Sequence, residues 1–126
     1  MTEDLHAIIV DDEAGCREAL ATDLQLYCPE VKVLAICRSA EEGLDSIRTT
    51  APDCVFLDIV MPGMSGFAML DRLGHIDFEV IFMSAYQEYA MKALQYGAAG
   101  YLLKPFSRHE LTQAVGVVFN RRRVDS

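Results

Sequence analysis

CVFLDIVMPGMSG, residues 54–66, runs from a short apolar stretch into an aspartate, Asp58, and then into a segment with one proline and two glycines. An apolar run of this length bounded by turn residues has the signature of a buried strand, and the proline and glycines mark a loop. Asp58 therefore stands where a strand ends. It is either an ordinary turn-opening residue or a reactive carboxylate held up by the strand, and the neighbouring segments decide between the two.

Upstream, LHAIIV (5–10) is a second buried-strand run, followed by a helical stretch over 13–27. Cys16, Leu20, Leu24 and Tyr27 fall near one face of that helix, and Pro29 ends it. VKVLAI (31–36) reads as a strand, after which Ser39 caps a helix whose Ala40, Gly43, Leu44 and Ile47 follow 3.6-residue spacing. Downstream, the pattern predicts a helix over 67–73, a strand at VIFM (80–83), and a helix over 88–96 stopped by Gly97. A strand over 101–103 follows, then a helix from Ser107 with Leu111, Ala114, Val115, Val118 and Phe119 on one stripe. Five strands alternating with five helices imply an α/β fold, a parallel sheet covered on both faces. Continuous apolar strands such as IIV, VFL, VIFM and YLL are what burial on both faces requires.

With 126 residues, the chain is the size of one domain, taken as 1–126, and 52% of it is hydrophobic against 24% charged. No apolar run approaches the roughly 18 residues that would span a bilayer. The acidic start, MTEDLHAIIVDDE, does not resemble a secretory signal, so a cytoplasmic location without membrane contact is expected. Cys16, Cys28, Cys37 and Cys54 form no CxxC pair and read as buried thiols. A formal charge of −8 argues against direct nucleic-acid binding by this domain. The basic run Arg121-Arg122-Arg123 suits a helix C-terminus, with a phosphate contact as the other reading.

In an open parallel sheet the carboxyl ends of the strands share one edge, and ligands bind there. The residues following the apolar runs are therefore informative: Asp11 and Asp12 (with Glu13 beyond), Asp58, Ser84 and Lys104. Each has a local explanation as a cap, a turn residue or a solvated lysine. Together they bring carboxylates, a hydroxyl and an ammonium to one rim. Two carboxylates about 5 Å apart repel by roughly 3 kcal/mol at an effective dielectric of 20, so the group calls for a cation. All-oxygen ligands favour a hard ion, and an exposed site with room for water suits Mg²⁺, with Mn²⁺ as a substitute. Such a set fits phosphoryl transfer, with Asp58 as nucleophile, Lys104 and the metal neutralising phosphoryl oxygens, and Ser84 donating to one of them.

VDDE, FLDIVMPGMSG, MSA and YLLKP, in this order, resemble the receiver domain of two-component response regulators, over about residues 5–119. The resemblance implies a doubly wound, CheY-like five-stranded sheet in the order 2-1-3-4-5, and phosphorylation of Asp58 by a sensor histidine kinase with Mg²⁺. It implies metal ligation by Asp11, Asp12, Asp58 and the backbone carbonyl of Val60, with Asp12 the more direct of the acidic pair. Ser84 matches the switch hydroxyl, Lys104 the phosphate-pairing lysine, and Lys104–Pro105 a bond that is usually cis. Tyr101 matches the switch aromatic, although a plain core tyrosine is its local alternative. Val60 and Tyr86 occupy positions that tune phosphoryl lifetime, and being apolar and aromatic they should hinder water and make the phosphoryl state durable.

Helical spacing over 88–96 turns Ala90, Ala93 and Leu94 to the core and leaves Tyr89, Lys92 and Tyr96 as an interaction face. Partner exchange, or a phosphorylation-dependent homodimer, is expected through helix 4, strand 5 and helix 5. A flavodoxin-like cofactor domain would need a phosphate loop where this chain has VDDEAG, and a phosphatase-type hydrolase would need a second aspartate at Val60. A degenerate receiver acting only as an interaction module would lack residues that are present. SAYQEYAMKAL followed by YLLKPF resembles receivers that precede LytTR-type DNA-binding domains, which links the expected output to transcription. The catalysis expected is self-phosphorylation and self-dephosphorylation, with no separate substrate.

Overall fold

The computed structural model describes residues 4–125. In chain order these form β1 (Leu5–Val10), α1 (Ala14–Tyr27), β2 (Val31–Cys37), α2 (Ala40–Thr50), β3 (Cys54–Asp58), α3 (Gly66–Leu73) and β4 (Glu79–Ser84). A 3₁₀ turn (Gln87–Tyr89) leads into α4 (Ala90–Gln95), followed by β5 (Gly100–Leu103) and α5 (Arg108–Asp125). The strands form one parallel sheet in the order β2-β1-β3-β4-β5. β1 and β3 are flanked on both sides, and the order reverses between them.

Side chains alternate across a strand, and the two apolar sets feed two cores. Ile8, Val10, Val55, Leu57 and Phe82 meet α2, α3 and α4 through Leu44, Ile47, Phe67, Leu70 and Ala93. Ile9, Phe56, Ile81 and Met83 meet α1 and α5 through Leu20, Leu24, Leu111 and Val118. At the outer edge, β2 carries a bulge: Val33 faces Ala7 and Ala35 faces Ile8, leaving Leu34 unmatched. Ser39 caps α2 by accepting from the Glu42 amide, while Glu42 reaches back to the Arg38 amide. Removing this cap with Ser39→Ala is expected to cost about 1 kcal/mol, seen as a lower urea midpoint at unchanged slope.

Three expected faces are corrected. Leu94 is 68% exposed rather than turned to the core. Tyr89 and Tyr96 are half-buried, and both pack on Phe67, Tyr96 stacking at 5.0 Å between ring centroids. The 3₁₀ start rotates the helix, so the rings at both ends of this segment fold beneath it while Met91 and Leu94 point outward. Tyr27, expected near the buried face of α1, is exposed under the Arg108 guanidinium at 4.8 Å. Cys16 is half-buried, unlike the buried Cys28, Cys37 and Cys54.

The basic run has a structural use in its first two members. Arg121 pairs with Glu79 at 2.9 Å and donates to the carbonyls of Gly97 and Ala98. Arg122 pairs with Asp53 at 2.8 Å. The Arg123 side chain lies outside the described residues. No helix among the described residues is long and apolar enough to cross a membrane.

Candidate functional site

The buried polar or charged residues among those described are Asp11, Asp58 and Ser84, and all three stand at the carboxyl ends of central strands. Burying a carboxylate costs several kcal/mol unless it is paired, so the partners at this edge are telling. β1 delivers Asp11, whose amide donates to the Cys37 carbonyl of the neighbouring strand. Its Oδ1 accepts from the Glu13 amide at 2.9 Å, and its carbonyl accepts from the Arg17 guanidinium at 2.9 Å. The backbone turn into α1 is therefore held at both ends.

Lys104 follows β5, its amide donating to the Ser84 carbonyl at 2.7 Å, and the Lys104–Pro105 bond is cis. Its ammonium lies 2.8 Å from Asp11 Oδ2, 3.3 Å from Asp58 Oδ2 and 3.4 Å from Glu13 Oε1. Burial works against the charged amine, but the bond to Asp11 and the charges of Asp58 and Asp11 outweigh it and hold Lys104 protonated. Asp58 is the strained member. Burial first, then the Asp11 charge, push its carboxyl up to about 7, against the opposing pull of Lys104.

Oxygen atoms of Asp11, Asp12, Glu13 and Asp58 all lie within 4.8 Å of one another. Four carboxylates against one ammonium leave an excess of negative charge, and the donors are all oxygen. This set fits a hard divalent cation. Asp12 and Glu13 are exposed, so the open side of the cluster faces water.

The loop after Asp58 approaches closely because of glycine. The Gly66 amide donates to the Ile59 carbonyl at 2.9 Å, and a Cβ on Gly66 would sit 2.5 Å from the Asp58 carbonyl oxygen. Val60 and Tyr86 stand at the rim, 47% and 51% exposed. On the other side, the Ser84 hydroxyl oxygen accepts from the Tyr86 amide at 3.0 Å, and the Tyr101 hydroxyl donates to the Tyr86 carbonyl. One peptide segment thus joins the three residues. Tyr101 is half-buried and packs against the core of the α4 side.

The structure brings Asp11, Asp12, Asp58, Ser84 and Lys104 to one rim and sets Tyr101 beside them through Tyr86. Tyr89, Lys92 and Tyr96 lie apart, around Phe67; the Lys92 ammonium sits 4.7 Å from that ring centroid. Sequence reasoning assigned no role to Glu13 and overlooked Arg17. Glu13 could have been found as the third acidic residue of VDDE, and Arg17 as the cation one helical turn beyond it.

The family model of the response regulator receiver domain matches residues 7–116. The chain is 36% identical over 113 residues to the sensory transduction protein LytT of Enterococcus faecalis, covering 88% of this chain and 46% of LytT. It spans about half the length of the curated relatives it matches. Among solved structures, it is similar to the signal receiver domain of the putative response regulator NarL from Mycobacterium tuberculosis, with TM-score 0.79 and 32% identity over 90% of this chain and 94% of that one. It is also similar to a chain of the CheX–CheY–BeF₃–Mg²⁺ complex from Borrelia burgdorferi, with TM-score 0.82 and 25% identity over 93% and 90% of the two chains.

Proposed function

The chain belongs to the response regulator receiver domain family, and from that membership and the site's geometry we propose that it is a switch driven by phosphorylation of Asp58. The observation that carries this reading is the Asp58 carboxyl group itself, buried at a strand end with one oxygen 3.3 Å from the Lys104 ammonium and beside the carboxylates of Asp11 and Asp12. The donor is a phosphohistidine of a sensor histidine kinase. A carboxylate oxygen of Asp58 attacks phosphorus, the P–N bond to the donor imidazole breaks, and an aspartyl phosphate results. The Lys104 ammonium turns from Asp58 to the phosphoryl oxygens. Ser84 has its oxygen engaged as acceptor by the Tyr86 amide, so its O–H is left to donate to a phosphoryl oxygen.

Asp11, Asp12, Asp58 and the Val60 carbonyl would hold Mg²⁺, or Mn²⁺, which supplies positive charge to the phosphoryl oxygens when bound. The BeF₃ and Mg²⁺ of the CheY relative's complex support this choice of ion.

Movement of Ser84 toward a phosphoryl group would pull on the Tyr86 segment and so on Tyr101, whose hydroxyl holds the Tyr86 carbonyl. That linkage carries the signal to the face of α4, β5 and α5, where the exposed Met91, Lys92 and Leu94 meet a partner or a second copy. Likeness to the transcriptional regulatory protein BtsR of Escherichia coli supports transcriptional output through a further domain, and the formal charge of −8 supports no direct contact of this unit with DNA. A cytoplasmic place follows from a histidine kinase donor.

The test is exposure to acetyl phosphate with and without Mg²⁺, read by intact mass. One phosphoryl group is expected on the wild type, dependent on Mg²⁺ and absent from Asp58→Asn; Lys104→Met should slow its appearance by about 10²-fold. An unmodified wild type, also inert toward a histidine kinase, would favour an interaction module without phosphotransfer. Val60 and Tyr86 shield the approach of water, so the phosphoryl group should outlast that on Tyr86→Ala. Equal decay of the two would remove Tyr86 from that role.

A further inference from the structure

A cavity of about 390 Å³ opens between α1 and the cis-proline loop and is continuous with the acidic rim, whose Asp11, Glu13 and Lys104 line one end of it. Ala19, Ala85, Pro105 and Phe106 give it an accessible apolar wall over the buried Leu20 and Met83, and its size falls in the range of small-molecule sites. Its charged groups are unevenly committed. Lys104 is already paired with Asp11, Glu13 and Asp58 in the unphosphorylated protein. Asp23, one turn beyond Ala19 on α1, is half-buried at the cavity and has no cation partner among the described residues. Glu13 shares Lys104 only at 3.4 Å and is otherwise exposed. Cys16 completes the wall as a neutral thiol, burial raising it more than the Lys104 charge lowers it.

We propose that this cavity is a binding site for a small organic cation with an apolar body, its ring or chain lying against Ala19, Pro105 and Phe106 and its ammonium group paired with Asp23. Apolar walls provide the affinity, and the half-buried carboxylate without a partner selects the charge. Neutral and anionic molecules of the same shape lose that pairing, and an anion meets Asp23 and Glu13 with repulsion. The proposal stands on the cavity and does not depend on phosphoryl transfer.

The test uses 2-phenylethylamine with the unphosphorylated protein in chelator, followed by saturation-transfer NMR and backbone amide shifts. Binding with Kd on the order of 1 mM is expected, with shifts concentrated at Cys16–Asp23 and Pro105–Phe106. Asp23→Asn should weaken it about tenfold. Ala19→Trp, at an exposed position of the cavity wall, should abolish it by filling the space. Neither residue belongs to the phosphoryl site, so both variants should still be modified by acetyl phosphate. Equal binding of 2-phenylethanol or phenylacetate, no loss in Asp23→Asn, or shifts located elsewhere would overturn the proposal, as would the absence of any binding.

Discussion

Asp58→Asn is expected to make the metal-free protein more stable at pH 8, by about 2–4 kcal/mol, even though it removes the group on which the proposed function depends. The fold raises the Asp58 carboxyl to about 7 from 3.8, so the native state binds its proton more tightly than the unfolded chain does. Stability from this group is complete below about pH 3.8 and is lost as pH rises through 7. Above that, the folded protein holds an ionised carboxylate beside Asp11 with only a share of Lys104, and asparagine relieves both burial and repulsion. The advantage should vanish toward pH 4, where the wild-type acid is itself neutral. Urea unfolding in chelator at pH 8 and pH 4 measures it. Saturating Mg²⁺ should shrink or reverse the difference, because an ion that binds the native wild type stabilises it in proportion to occupancy. A variant no more stable than wild type at pH 8 would mean that Lys104 compensates Asp58 fully.

Gly66→Ala should destabilise the protein by about 1–3 kcal/mol and also reduce acceptance of phosphate at Asp58. The added Cβ falls 2.5 Å from the Asp58 carbonyl oxygen and 3.0 Å from Leu57 Cγ, so either α3 or the end of β3 must move. The Gly66 amide is tied to the Ile59 carbonyl, which leaves little room for α3 to retreat alone. Gly63→Ala is the informative comparison. Gly63 has φ of 83° with nothing near the site of its Cβ, so that substitution incurs only the left-handed backbone penalty, about 1 kcal/mol, and should leave Asp58 in place. Midpoints of thermal or urea unfolding rank the two, and intact mass after acetyl phosphate reads the site. Equal losses would show that close approach at Gly66 is not what positions Asp58.

Both effects arise at a rim whose members were legible from the chain. A parallel strand buried on both faces must be apolar throughout, so its end is marked by the first polar residue; Asp11, Asp58 and Ser84 follow that rule, while Lys104 ends the apolar run of the partly buried edge strand β5. Strand length and helical spacing are local properties, and they placed five strands, the helices between them and the caps at Ser39 and Gly97 close to where they stand.

The faces of α4 show where local reasoning ends. Its expected orientation assumed uniform 3.6-residue spacing, but the segment opens with a 3₁₀ turn and the α-helical part is only six residues long. Phe67, distant in sequence, then decides the outcome by offering Tyr89 and Tyr96 a ring to pack on, and Leu94 is left outside.

Taken alone, the order of residues determined the alternation of strands and helices and the identity of the polar group ending each strand, because both are set by neighbours a few positions apart. Tertiary structure decided the rest. Burial at one edge made the Asp58 proton hard to remove and drew Lys104 onto two carboxylates. The assembly of α1 beside the loop after β5 left a cavity lined by Asp23. Charge repulsion, desolvation and empty space depend on distances between segments far apart in the chain, and those distances exist only once the sheet has assembled.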